Sequence, residues 1–217
     1  MSKTTPKNII IIDDHPIMRL GLSQLIQSID GVEIVGEAGS ATEALGLLES
    51  VERIDLALVD MSLPDRSGLE LLKDMRAWNP DLKCLVISSH DEGVYAERVL
   101  RAGGRGYMMK DRAPELLESA VKQVLDGGIF VSQEMTARLM EVLAGGGPAA
   151  SVSSLSDREL EVFRAIGEGK GSREIAGLMG ISVRTVDAHR THIKEKMSFR
   201  DAAELTYEAI RWVESQR

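Results

Sequence analysis

At 217 residues, 43% hydrophobic and 28% charged, the chain is long enough for one or two domains and has the composition of a protein that buries a core, not of a disordered one. Its formal net charge of −8 is unevenly placed: residues 1–143 hold 15 Lys+Arg against 23 Asp+Glu, residues 144–217 hold 11 of each, and residues 170–200 hold seven basic against three acidic side chains. The whole chain is therefore a poor polyanion binder, and that role is open only to the C-terminal segment.

Asn8-Ile9-Ile10-Ile11-Ile12 is a β-branched run that predicts a buried strand ending at Asp13-Asp14. His15-Pro16 opens a helix with proline in its first turn; its apolar residues are Ile17, Leu20, Leu22, Leu25, Ile26 and Ile29, and it stops near Asp30-Gly31. A second strand covers Val32–Ala38, and Ser40 and Glu43 have the capping-box spacing for a helix ending near Glu49. Leu56-Ala57-Leu58-Val59-Asp60 has no helical period and reads as a strand buried on both faces, after which Leu63-Pro64-Asp65 turns the chain. Ser67-Gly68-Leu69-Glu70 starts a helix to about Trp78, broken by Asn79-Pro80-Asp81. Lys83–Ser88 is the fourth strand, residues 91–102 the fourth helix and Gly106–Met109 a short fifth strand; Pro114 sits in the first turn of a helix reaching residues 126–128. Five strands alternating with five helices predict a doubly wound, five-stranded parallel sheet with helices on both faces.

Residues 132–143 read as an amphipathic connector helix and Ala144-Gly145-Gly146-Gly147-Pro148-Ala149-Ala150 as a flexible linker. The expected organisation is an α/β domain over residues 1–128, connector and linker over 129–150, and a helical domain over 151–217. The single Cys84 lies in an apolar run and reads as a buried, inert thiol. No apolar stretch approaches a membrane span and the N-terminus lacks a signal-peptide core, so a cytoplasmic location with no membrane partner is expected.

In a parallel sheet, functional groups sit just beyond the carboxyl ends of the strands. Those ends carry Asp13-Asp14, Asp60, Ser88-Ser89 and Lys110. Asp60 alone also fits a capping or turn aspartate, and Lys110 alone a solvated lysine; their joint placement argues otherwise. Three carboxylates on one rim repel one another unless a cation is present, and oxygen ligands of this kind suit Mg²⁺. With Lys110 opposite and Ser88 as a hydroxyl donor, the set makes a site for a phosphoryl group on or near a carboxylate.

Ile11-Ile12-Asp13-Asp14-His15-Pro16, Val59-Asp60-Met61-Ser62-Leu63-Pro64, Ile87-Ser88-Ser89-His90 and Gly106-Tyr107-Met108-Met109-Lys110-Asp111 resemble the receiver domain of two-component response regulators, a flavodoxin-like fold. The resemblance implies that Asp60 is phosphorylated by a sensor histidine kinase. It implies that Asp14 binds Mg²⁺ directly and Asp13 through water, with the Ser62 carbonyl as a further ligand. Ser88 would be the switch hydroxyl, Tyr107 its aromatic partner and Lys110 the phosphate partner. Asp111 stands where many receivers have proline.

In the C-terminal third, Ser156 and Glu159 have capping-box spacing before Leu160, Val162, Phe163 and Ile166. Ser172 starts a short helix, Met179-Gly180-Ile181 is a tight turn, and Ser182 caps a helix over Val183–Met197, which is the helix-turn-helix pattern. With Val186 inward, Ile193 and Met197 fall within about 20° of it at about 100° per residue. Arg184, Ala188 and Thr191 lie opposite, flanked by Asp187 and Lys194, a surface that suits a DNA major groove and equally an ordinary charged helix face.

Leu155-Ser156-Asp157-Arg158-Glu159, Arg173-Glu174-Ile175-Ala176 and Ile181-Ser182-Val183-Arg184-Thr185-Val186-Asp187-Ala188-His189 resemble the LuxR-type helix-turn-helix, an all-α four-helix domain. With the receiver, this matches the NarL/FixJ class of response regulators. The resemblance implies contacts with double-stranded promoter DNA from Ser172, Arg173, Arg184, Thr185, Asp187, Ala188, Arg190, Thr191, Lys194 and Lys196. It also implies a homodimer on DNA, with a fourth helix over residues 200–212 or the receiver supplying the contact. Asp187 departs from the pattern at a base-facing position that is often basic; it reads either as an acceptor for a cytosine amino group or as a partner of Arg184 or Arg190. The combined expectation is a phosphorylation-controlled transcription regulator without enzymatic turnover. The alternative is an aspartate-nucleophile, Mg²⁺-dependent phosphohydrolase, whose nucleophile usually lies on the first strand in a D-x-D arrangement absent here. A nucleotide-binding reading is weaker, because no glycine-rich turn follows the first strand.

Overall fold

The computed structural model describes residues 5–143 and 152–215, and the chain divides into two compact units, residues 1–139 and 140–217. The first unit runs β1 (Lys7–Ile12), α1 (Pro16–Gln27), β2 (Val32–Ala38), α2 (Ala41–Ser50), β3 (Leu56–Val59), α3 (Gly68–Trp78), β4 (Lys83–Ser88), α4 (Glu92–Ala102), β5 (Gly106–Met109) and α5 (Ala113–Leu125). The strands form one parallel sheet in the order β2-β1-β3-β4-β5. Ile9, Ile11, Leu56, Leu58, Leu85 and Ile87 form one core with Leu22 and Ile26 of α1 and Leu117, Val121 and Val124 of α5. Ile10, Ile12, Ala57, Val59 and Val86 alternate to the opposite face and are equally buried, which is why these strands show no polar alternation. Because β2 lies on one side of β1 and β3 on the other, the strand order reverses there, and a crevice opens at the carboxyl ends of β1 and β3.

The elements follow the expected boundaries closely, with two informative differences. Helix α1 ends at Gln27, and Ile17 and Leu20 are 87% and 60% exposed instead of contributing to the core. At about 100° per residue they lie about 140° and 160° around the helix from Leu22, so the core-facing stripe cannot include them. The first unit also continues past residue 128. Phe130 adds to the edge of the sheet, accepting from the Tyr107 amide at 2.8 Å and donating its own amide to the Arg105 carbonyl at 2.9 Å. Helix α6 (Gln133–Leu143) begins on α4: the Ser132 amide donates to Glu92 at 2.8 Å, and Arg138 donates to the Gly93 carbonyl at 2.8 Å. Gly127, with φ +90°, therefore turns the chain inside this unit. The expected linker at residues 144–150 lies outside the described residues.

The second unit consists of α7 (Asp157–Gly167), α8 (Ser172–Met179), α9 (Val183–Met197) and α10 (Ala202–Ser215). The capping box closes as the sequence predicts, with Ser156 Oγ accepting from the Glu159 amide and the Glu159 carboxylate accepting from the Ser156 amide at 2.7 Å. Gly180, at φ +62°, ends α8, and Ser182 then caps α9 by accepting from the Thr185 amide. Phe163 is buried with ring centroids 5.6 Å from Trp212 and 6.3 Å from Phe199. Side chains such as Phe163, Val186, Ile193 and Leu205, all fully buried, each contribute about 1.5–3 kcal/mol to holding α7, α9 and α10 together.

Candidate functional site

The ends of β1, β3 and β5 bring Asp13, Asp60 and Lys110 together. Asp13 and Asp60 are 1% and 3% exposed, and Lys110 Nζ lies 2.8 Å from Asp13 Oδ2 and 2.8 Å from Asp60 Oδ2. The contact with Asp60 is a hydrogen bond. The contact with Asp13 is off the hydrogen-bonding direction, so that buried oxygen has a cation beside it and no proton aimed at it. Asp14 Oδ1 is likewise buried without a hydrogen bond, although His15 Nδ1 is 2.5 Å away. Ligand atoms of Asp13, Asp14, His15 and Asp60 all lie within 4.8 Å of one another. Burial pushes the Asp60 carboxyl above the usual carboxylate range, since one lysine shared between two carboxylates only partly offsets it and Asp13 adds to the rise. Burial works against the charge of Lys110, but Asp13 and Asp60 outweigh it and keep the ammonium protonated. Asp13 and Asp60 share one ammonium, with the half-buried Asp14 beside them, which leaves an excess of negative charge of the kind that binds a hard cation with oxygen ligands.

The loop after Asp60 is braced on both sides. Gly68 donates its amide to the Met61 carbonyl at 2.9 Å, and a Cβ on Gly68 would lie 2.2 Å from the Asp60 carbonyl oxygen. Asp65 accepts from the Ala41 and Thr42 amides, each at 2.9 Å, and from Thr42 Oγ1 at 2.7 Å, tying the loop to the start of α2. On the other wall, Ser88 and Tyr107 are both fully buried. His90 joins them: its amide donates to Ser88 Oγ at 3.1 Å, its carbonyl accepts from the Tyr107 hydroxyl at 2.8 Å, and its Nε2 is 2.9 Å from Ser62 Oγ.

In the second unit, Val186 and Ile193 are buried while Arg184, Thr185, Asp187, Ala188 and Thr191 are exposed on α9. The short helix α8, joined through Gly180 to α9 with its polar, partly basic exposed face, forms a helix-turn-helix.

The model of the response regulator receiver domain matches residues 9–122, and that of bacterial regulatory proteins of the luxR family matches residues 153–209. The chain belongs to the NarL/FixJ-class response regulators. This regulator is 34% identical over 210 residues to the oxygen regulatory protein NreC of Staphylococcus carnosus (strain TM300), covering 94% of this chain and 96% of the relative. It is 33% identical over 221 residues to the nitrate/nitrite response regulator protein NarL of Escherichia coli (strain K12), covering 100% and 99%. Among solved structures it resembles RcsB from Salmonella enterica serovar Typhimurium bound to promoter rprA in the presence of phosphomimetic BeF3-, with TM-score 0.71, 26% identity and coverage of 93% and 97%.

Within the regulator, the structure brings together Asp13, Asp14, Asp60 and Lys110, and links Ser62, Ser88 and Tyr107 through His90. His15 and His90 were not among the residues the sequence singled out. Their signal was positional: His15 follows the paired aspartates directly, and His90 stands two residues beyond Ser88. On α9 the expected set divides. Arg184, Thr185, Ala188, Thr191 and Lys196 are exposed, Arg190 and Lys194 are half-buried, and Lys196 is also ion-paired at 2.6 Å with the buried Glu159 of α7. Lys196 therefore braces the fold at a position about 120° around α9 from Arg184. Asp187 pairs with neither Arg184 nor Arg190; it accepts from Ser172 Oγ on α8 at 3.0 Å.

Proposed function

We propose that Asp60 is the phosphoacceptor, charged by a sensor histidine kinase, and that its phosphorylation controls dimerisation and promoter binding by the helix-turn-helix. The observation that carries this reading is Lys110, shared at 2.8 Å between Asp13 and Asp60 beside buried carboxylate oxygens that lack hydrogen bonds. Those orphaned oxygens fit Mg²⁺, which Asp13, Asp14, Asp60 and the Ser62 carbonyl would hold and which would neutralise charge on an incoming phosphoryl group. An Asp60 carboxylate oxygen attacks the phosphorus of a phosphohistidine; the P–N bond breaks, and its electron pair leaves with the imidazole, which takes up a proton from solvent. Lys110 then pairs with the new phosphoryl oxygens, and Ser88, released from the His90 amide, donates to them. Tyr107 and the β4–α4 segment follow Ser88, which shifts the population of receiver conformations.

The second unit binds double-stranded promoter DNA as a homodimer, with Arg184, Ala188 and Thr191 at the bases. The protein acts in the cytoplasm as a switch and not as an enzyme. The decisive experiment combines the protein with acetyl phosphate and Mg²⁺ and follows intact mass. Wild type should hold one stable phosphoryl group and Asp60→Ala none. Labelling of the mutant overturns the assignment, and steady turnover of the donor without a stable adduct favours the phosphohydrolase reading.

A further inference from the structure

Asp187, a carboxylate on the exposed face of α9, is ill suited to a groove lined by phosphates, and its partner is on another helix. Its Oδ1 accepts from the hydroxyl of Ser172, the first residue of α8, at 3.0 Å. A serine hydroxyl carries a single proton, so Ser172 cannot donate to a DNA phosphate while it donates to Asp187. The carboxylate also lies beside the first turn of α8, where the helix dipole favours negative charge. Swinging it into the groove gives up the Ser172 bond and that favourable field, adds repulsion from phosphates, and gains at most an acceptor role toward one cytosine amino group. Arg184, Ala188 and Thr191 remain exposed; the Thr191 hydroxyl donates to the Asp187 carbonyl at 3.1 Å, which leaves its lone pairs and its methyl group to face the groove.

We propose that Asp187 is a repulsive charge at the DNA-reading face, held on α8 by Ser172, so that it weakens binding to every sequence alike and selects none. The proposal rests on the DNA-binding reading of this unit. It assigns sequence preference to Arg184, Ala188 and Thr191, and it turns Ser172 from an expected DNA contact into the clamp that keeps a carboxylate out of the groove. The negative charge then sets a ceiling on non-specific affinity without touching discrimination.

The test uses the full chain treated with acetyl phosphate and Mg²⁺, and selects sites from a random double-stranded DNA pool with wild type, Asp187→Asn, Asp187→Ala, Ser172→Ala and the double variant Ser172→Ala/Asp187→Ala. Both Asp187 variants should enrich the wild-type sequence and bind selected and random DNA alike about fivefold more tightly, a gap that narrows as salt rises. Ser172→Ala frees the carboxylate and should add a cytosine preference at one position per half-site, and the double variant should lose it again. Asp187→Asn keeps the size and an acceptor at this position if the alanine variant folds poorly. Loss of a base preference in either Asp187 variant makes Asp187 a base reader and overturns the proposal. An unchanged preferred sequence in Ser172→Ala also overturns it, because the clamp then restrains nothing. Failure of the wild type to enrich any sequence removes the DNA-binding reading itself, a result distinct from both.

Discussion

Gly68 offers the sharpest test of how the fold holds the acidic pocket. It begins α3, and a Cβ there would stand 2.2 Å from the Asp60 carbonyl oxygen and 2.8 Å from Met61 Cα. An ordinary carbon–oxygen contact is about 3.3 Å, so Gly68→Ala must displace the backbone of Asp60 and Met61 by about 1 Å. Overpacking of this kind costs about 1–3 kcal/mol, partly offset by the roughly 0.5–1 kcal/mol that alanine gains over glycine in a helix. Gly46 is the control. It lies inside α2 with nothing within 4 Å of its added Cβ, so Gly46→Ala should stabilise the same unit by about 0.5–1 kcal/mol. Urea denaturation followed by circular dichroism should move the first unit's transition down for Gly68→Ala and up for Gly46→Ala. Labelling by acetyl phosphate should slow by on the order of a hundredfold in Gly68→Ala, since about 1 Å of misplacement at a reacting group costs that much, and should stay at the wild-type rate in Gly46→Ala. A Gly68→Ala protein with the wild-type midpoint would refute the packing argument. One that is destabilised yet labels at full rate would refute the link between this backbone contact and the carboxylate.

Asp65→Ala strips the Ala41 and Thr42 amides of their acceptor and should cost about 1 kcal/mol at neutral pH. Bonds from Thr42 and the two amides outweigh burial and hold the Asp65 carboxyl at about 2, below the 3.8 of the unfolded chain. Its contribution is therefore complete above 3.8 and lost as pH falls toward 2, so the gap between wild type and mutant in urea should be flat above 3.8 and close below it. In the second unit, Glu159→Ala should cost more than Lys196→Met, by about 1 kcal/mol, because Glu159 also accepts from the Ser156 amide. Lys196→Met should leave the salt dependence of DNA binding unchanged, whereas an arginine that meets a phosphate lowers the slope by about one when removed; a reduced slope for Lys196→Met would return it to the DNA-contacting set.

The sheet and the pocket were legible for the same reason. A strand buried on both faces leaves an uninterrupted apolar run, and the first polar residue after it marks the rim where ligands are met. Asp13, Asp60, Ser88 and Lys110 each occupy that place after Ile12, Val59, Ile87 and Met109. Helix phase was less legible where apolar residues exceeded what one face can bury, as at Ile17 and Leu20. Gly127-Gly128 has the composition of a linker, yet the compact unit runs on past it, because the backbone pairing of Phe130 with Arg105 and Tyr107 leaves no mark in composition.

What stayed hidden was partnership between side chains. Periodicity states which face a residue takes, and the faces of Asp187 and Lys196 follow from it. It does not state who waits on that face. Lys196 has the charge of a phosphate contact and Asp187 the acceptor of a base contact, yet each is taken by a partner on another helix, Glu159 and Ser172. The same holds for His90, whose amide, carbonyl and ring bind Ser88, Tyr107 and Ser62 from three separate segments. Such triple bonding fixes the β4–α4 turn against both the strand that carries Ser88 and the loop that follows Asp60. A shift of Ser88 toward a phosphoryl group must therefore break or carry the His90 amide bond, and with it the hold on Tyr107. On the proposed reading, this one residue, absent from any pattern of faces, would link a change at Asp60 to the sheet edge where the Tyr107 amide meets the Phe130 carbonyl.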